Sequence, residues 1–159
     1  MRPATGIYFN CKSRDFRLKR ETAMKYIALP GRILYAAIFL MSVPEDFTSK
    51  TISYAAAKGV PLAPLAVPAA GVIAFLGGLS ILLGYKARLG AWLIVIFLVP
   101  VTLMIHNFWA IADPVQARMQ MINFMKNLSM LGAALMITHL GSGPLSLDVR
   151  KDRDYSSRA

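Results

Sequence analysis

The side chains with chemistry to offer are few, and they sit in apolar company. His106-Asn107-Phe108-Trp109 follows one long apolar run, Asn123, Lys126 and Asn127 interrupt another, and Glu45-Asp46 closes a third. Ionisable or strongly polar groups at membrane depth cost enough free energy to be functional candidates by default. The i, i+3, i+4 spacing places Asn123, Lys126 and Asn127 on one helix face. Brought together, Glu45, Asp46, His106, Asn107, Trp109, Asn123, Lys126 and Asn127 would line a polar pocket able to hydrogen-bond a quinone or another amphipathic substrate and to move protons. His106 and Glu45 are the proton-exchanging groups, since imidazole titrates near neutrality. Lys126 would stabilise a developing quinol oxyanion. The competing structural reading has Lys126 snorkelling to the interface, Trp109 in an aromatic belt and the asparagines tying helices together.

Several other chemistries are excluded by residue type and spacing. Cys11 is the single cysteine, so there is no internal disulfide, thiol-exchange pair or cysteine-rich zinc or iron–sulfur site. His139 lies ~24 Å inward of Asn123, the level of His106, at ~1.5 Å per helical residue. The two histidines therefore cannot share a haem or metal within one chain, and no metal site is expected. No serine stands in a nucleophile-elbow context, and no glycine loop is built to cradle phosphate. The chain holds no self-sufficient catalytic motif. Redox chemistry would need a non-covalently bound quinone or a partner, which makes an accessory subunit of a membrane oxidoreductase the enzyme-like reading.

Whether the eight residues meet depends on the elements that carry them. The 159 residues are 56% hydrophobic and 16% charged, with a mean hydropathy of +0.50, too apolar for an ordinary soluble domain. Four stretches, about 26–44, 62–85, 89–112 and 119–140, reach the ~20 residues a helix needs to cross ~30 Å of hydrocarbon. Only helices or closed barrels satisfy backbone polar groups there, and no alternating barrel strands occur. The expected fold is therefore an all-α, integral-membrane four-helix bundle spanning 26–140.

Charge sorting orients it. Of 18 Lys and Arg, seven fall in residues 1–25, Lys86 and Arg88 between the second and third spans, and Arg150, Lys151, Arg153 and Arg158 in the tail. The opposite loops carry only Lys50, Lys58 and Arg118. Lys and Arg near span ends stay in the cytoplasm, so both termini are expected inside, in a bacterial inner membrane. The net charge of +10 is thus an orientation signal rather than a nucleic-acid footprint. It also places the eight polar residues together at the outer ends of the spans.

Residues 1–25 read as a basic cytoplasmic leader, disordered or lying on the surface, with Met24 an alternative start. Between the first two spans, Phe47, Ile52, Tyr54 and Ala55 among Ser, Thr and Lys predict a short interfacial helix ended by Gly59 and Pro61. Residues 141–159, opening Gly141-Ser142-Gly143-Pro144, form a polar tail expected along the inner surface. Arg32 follows Pro30-Gly31, a pair suited to a helix's first turn. It reads as a bundle or inner-interface residue, either snorkelling to cytoplasmic phosphates or stabilising the bundle through a buried pair or a carbonyl contact. Small residues allow helix approach in lipid, which makes Ala70, Gly71, Ala74, Gly77 and Gly78 of span two and Ser129, Gly132 and Ala133 of span four the expected inner faces.

Gly31-Arg32-Ile33-Leu34, Gly77-Gly78 before Leu82-Leu83-Gly84, Arg88-Leu89-Gly90-Ala91, His106-Asn107-Phe108-Trp109, Phe124-Met125-Lys126-Asn127-Leu128 and Pro144-Leu145-Ser146-Leu147-Asp148 together resemble the DoxX family over about residues 24–148. That resemblance implies a four-helix inner-membrane protein linked to quinone-dependent redox complexes. The chain departs from the pattern at Ala74, where many members have glutamate, and at Val43-Pro44-Glu45-Asp46, where many have Gly-x-x-Lys. The function to expect is a quinone- or redox-associated membrane subunit acting with a protein partner, in the bilayer and without nucleic acid, with homo-oligomers an option. A non-enzymatic scaffold or assembly factor is the alternative. A small-molecule carrier is a weaker one, because no inverted repeat is evident.

Overall fold

The computed structural model describes residues 5–149, with side chains from residue 26 onward. The described residues hold five α-helices and one 3-10 turn: α1 Thr5–Asp46, α2 Ser49–Ala57, α3 Ala63–Leu83, α4 Ala87–Met104, the turn Phe108–Ala110, and α5 Pro114–Leu140. Four helical segments are long and apolar enough to cross a membrane, and the first of them is Tyr26–Asp46. No strand occurs among the described residues. The protein is an all-α, multi-pass membrane bundle.

Element bounds differ from the hydropathy windows where polar residues intervene. From Thr5 the helix runs through the basic segment into the first span, so the leader is not a separate disordered piece there. No Gly or Pro lies between Gly6 and Pro30 to stop it. Pro30 is accordingly inside α1 rather than in a first turn. α4 ends at Met104, short of the expected 112, and the chain turns before His106-Asn107. α5 starts at Pro114, earlier than expected, because Asp113 accepts the Gln116 N–H at 2.7 Å and Pro114 supplies a preset first helical residue. The expected interfacial helix is α2, capped by the Thr48 hydroxyl.

α3 lies between α1 and α4, and α4 also packs on α5. Gly71, Ala74, Gly77, Gly78 and Ile81 of α3 are buried. A Cβ at Gly77 would stand 2.8 Å from Ile94 Cδ1 and 2.9 Å from the Gly90 carbonyl, and one at Gly78 3.2 Å from Phe39 Cβ. These glycines set the helix separation on both sides. Phe39, Ala74, Ile81, Ala91, Ile94, Leu98 and Ala134 form the core. α1 and α5 make no comparable contact; the Tyr35 hydroxyl spans between them to the Met130 carbonyl at 2.9 Å.

In α5 the register differs from the expectation. Its buried positions are Asn127 and Ala134, one heptad apart, whereas Ser129 and Gly132 are exposed and a Cβ at Gly132 would meet nothing within 4 Å. Small side chains permit close approach but do not choose which face makes it.

At the end carrying Arg32 and the α3–α4 turn, called inner after the charge sorting, residues 141–149 fold back over the bundle. Buried Arg32 donates from Nη2 to the Leu145 carbonyl at 2.6 Å, the carbonyl contact rather than the snorkel. Gly84 ends α3 in the left-handed region (φ 63°), where a Cβ would collide with Arg32 Nη1 and Ser146. Asp148 accepts the Lys86 N–H at 2.8 Å and the Ala87 N–H at 3.3 Å, and its own N–H donates to the Gly84 carbonyl at 3.0 Å. The tail thus supplies the N-cap that α4 lacks locally, since Lys86 offers no side-chain cap.

The contrast between glycines is testable. Gly77→Ala is expected to lower stability by about 1–3 kcal/mol through overpacking against Ile94 and Gly90. Gly132→Ala, with open space around it, is expected to leave stability unchanged. Thermal unfolding of the detergent-solubilised protein checks both, and equal behaviour of the two variants refutes this packing.

Candidate functional site

At the outer end, α2 lies across α3 beside the end of α1 and roofs a cleft of about 260 Å³. Its walls are Val67 and Ala70 of α3 and Phe97, Val101 and Met104 of α4, with Thr51 and Tyr54 of α2 at the rim. Asp46 is the single charged residue lining it. Its Oδ2 is buried and has no hydrogen-bond partner among the described residues. Gly71 permits this position, because a Cβ there would stand 2.9 Å from Asp46 Cβ. An unmatched carboxylate oxygen in an apolar cleft calls for a donor from outside, since burying such a group unpaired is costly.

The other residues expected beside Asp46 are divided among separate places. Glu45 is exposed, and its carbonyl accepts the Thr48 N–H at 3.1 Å and the Thr48 hydroxyl at 2.8 Å, closing α1 into α2. His106 Nδ1 is 2.7 Å from Gln120 Oε1, and Gln120 Nε2 donates to the Tyr54 hydroxyl at 3.3 Å. Asn107 accepts from Lys58 Nζ at 3.2 Å. These contacts tie α2, the 105–113 connection and α5 into one latch beside the cleft. Trp109 is 60% exposed and stacks edge-on with Phe108 and Phe124, at centroid separations of 5.2 and 5.8 Å.

α5 itself separates its three polar residues. Lys126 is exposed and donates to Asn123 Oδ1 at 3.3 Å, whereas Asn127 is buried on the side toward the bundle. Lys126 does not line the cleft, and neither does His106. The proposed pairing of a proton carrier with an oxyanion stabiliser therefore has no common space. Gln120 and Thr51 were not singled out by sequence. Gln120 sits one turn before Asn123, a signal that extends the polar face by one position. Among the described residues, no group of three or more His, Cys, Asp or Glu is placed to hold a metal ion.

Comparison with known proteins adds a lineage to this geometry. A family model described as the SURF4 family matches residues 16–154. The chain is 33% identical over 130 residues to the Escherichia coli inner membrane protein YphA, covering 80% of this chain and 92% of that protein. It is 24% identical over 137 residues to the ER-derived vesicles protein ERV29 of Saccharomyces cerevisiae, covering 86% of this chain but only 37% of that protein. No solved structure matches. These matches overturn the DoxX resemblance, and with it the quinone- or redox-associated subunit, its quinone cofactor and its redox-complex partner. The motifs behind that resemblance are mostly packing features. Gly77-Gly78 and Gly90-Ala91 are buried at helix contacts, and Arg32, Gly84 and Leu145 to Asp148 build the inner closure.

The latch gives His106 a positional role that can be measured. A double-mutant cycle over His106→Ala and Gln120→Ala is expected to return a coupling of about 0.5–1.5 kcal/mol in unfolding free energy, the range of a net hydrogen bond. Strict additivity of the two substitutions refutes the contact.

Proposed function

The chain belongs to the SURF4 family, and from that membership we propose that it is a non-enzymatic membrane adaptor that holds a segment of another protein in the outer cleft. The observation that carries the proposal is Asp46. A single carboxylate with one unmatched oxygen, set among apolar walls, suits recognition of a donor or positive charge flanked by apolar side chains. Catalysis would need a second group within reach, and His106, Glu45 and Lys126 lie outside the cleft lining. The volume of about 260 Å³ accommodates a few side chains.

The relatives support a role among other proteins of a membrane. ERV29 is by name a protein of ER-derived vesicles, and YphA is by name an inner membrane protein. The match to YphA covers nearly all of that protein, which favours a bacterial inner membrane with the cleft facing outward, as the charge sorting requires. Fold alone does not confer function, so the cleft must be tested directly.

A photo-crosslinking amino acid at Val101, in the cleft, is expected to trap a discrete polypeptide in intact membranes, whereas the same group at exposed Leu103 is expected to trap lipid. Asp46→Leu is expected to cut the Val101 adduct by roughly tenfold, the loss of one buried charge-assisted hydrogen bond. The same variant should leave thermal stability unchanged or raised, because it removes an unpaired buried group. Lipid adducts alone at Val101, or an adduct indifferent to Asp46→Leu, refute the adaptor.

A further inference from the structure

At the opposite end of the bundle, a groove of about 600 Å³ runs between the start of α4 and the Gly141–Gly143 turn after α5. Its lining divides by polarity. Lys86 and Arg88 supply positive charge, while Leu89 and Leu140, 60% and 67% exposed, supply apolar walls. Leu89 lies in the first turn of α4 and Leu140 ends α5, both helices long and apolar enough to cross a membrane. The groove is therefore open to the membrane along its apolar side and cationic at its polar end.

Asp148 also lines the groove, but its charge is committed elsewhere. Oδ1 accepts the Lys86 N–H at 2.8 Å, and Oδ2 accepts the Ala87 N–H at 3.3 Å and the Ser142 hydroxyl at 3.4 Å. The carboxylate compensates the helix N-terminus, where negative charge is favoured. The Lys86 side chain is exposed, and its ammonium stands 5.8 Å over the Tyr85 ring. Arg88 lies along the turn beside Gly141, where a Cβ would stand in ordinary contact 3.4 Å from its Nε. Gly141 and Gly143 both have positive φ, 78° and 69°, which holds this turn in a form that other residues rarely adopt.

We infer that this groove is a binding site for the phosphodiester headgroup of an anionic phospholipid of the inner leaflet, held by Lys86 and Arg88 with its acyl chains along Leu89 and Leu140. Arginine and lysine are the side chains suited to a phosphate, and cationic side chains at the membrane surface each strengthen attachment to anionic lipid. The apolar walls separate a lipid from a free phosphate, which would gain nothing from them. Because the groove reaches the α3–α4 turn and the tail together, a bound lipid would brace the inner closure around Arg32. The site stands apart from the outer cleft and does not depend on what the cleft holds.

Native mass spectrometry of the delipidated full chain in detergent, offered phosphatidylglycerol or phosphatidylcholine, tests the assignment. The wild type is expected to retain phosphatidylglycerol on the order of tenfold more than phosphatidylcholine. Lys86→Gln with Arg88→Gln is expected to abolish that preference, and the charge-conserving Lys86→Arg with Arg88→Lys to keep most of it. Both side chains are exposed, so the fold should persist, and thermal unfolding without lipid should match the wild type. Lys126→Gln, which removes a charge at the other end, should retain the full preference. Equal retention of the two lipids, an unchanged preference in the glutamine pair, or displacement of phosphatidylglycerol by equimolar inorganic phosphate overturns the site.

Discussion

The close approach of α3 to both α1 and α4 is the constraint on which the rest of the bundle depends. In a bilayer, apolar surface gains little by moving from lipid to protein, so helices must gain dispersion and backbone contact instead. α3 meets that requirement on two sides at once. Gly77 admits Ile94 and the Gly90 backbone, Gly78 admits Phe39, and Gly71 admits the end of α1 at Asp46. The last of these contacts links packing to the site. The glycine that lets α1 lean on α3 also sets a carboxylate against the wall of the outer cleft.

The two ends of the bundle handle polar groups differently. At the inner end the tail turns back so that Asp148, Ser142 and Ser146 find partners, and Arg32 reaches the Leu145 carbonyl through Nη2 while its Nε and Nη1 stay unmatched among the described residues. These contacts cross from one end of the sequence to the other and fix the helix ends against each other. At the outer end the polar residues form local ties, His106 to Gln120 and Lys58 to Asn107, while Asp46 keeps an oxygen without a partner. The inner end thus joins distant parts of the sequence, whereas the outer cleft keeps one carboxylate oxygen unmatched.

Hydropathy made the four spans legible, because length and apolarity alone decide whether a helix can cross. The amphipathic segment after span one was legible for a similar reason. What was not legible depended on rotation and on side-chain reach. Ser129 and Gly132 look like packing residues in sequence, yet the face of α5 that turns inward bears Asn127 and Ala134. Charge sorting assigns Asp46, His106 and Lys126 to one end of their spans, but depth does not give azimuth, and in a bundle azimuth decides which groups meet. The family assignment failed on the same ground. Glycine pairs and an arginine near a helix end are demands of tight packing and of orientation, so short motifs built from them identify a bundle better than a lineage.

Asp46 separates binding from catalysis more sharply than the count of polar residues near it. A general acid or base needs a partner held at hydrogen-bond distance in the reacting geometry, and it needs water or substrate to carry the proton onward. The cleft offers one carboxylate, two hydroxyls at the rim and otherwise apolar walls. On the proposed reading, such an arrangement would select a segment by how well it pairs with the cleft. A segment lacking a donor would leave the oxygen unmatched, and one lacking apolar flanks would leave the walls bare. Specificity of that kind rests on the cost of failed pairing rather than on reactivity.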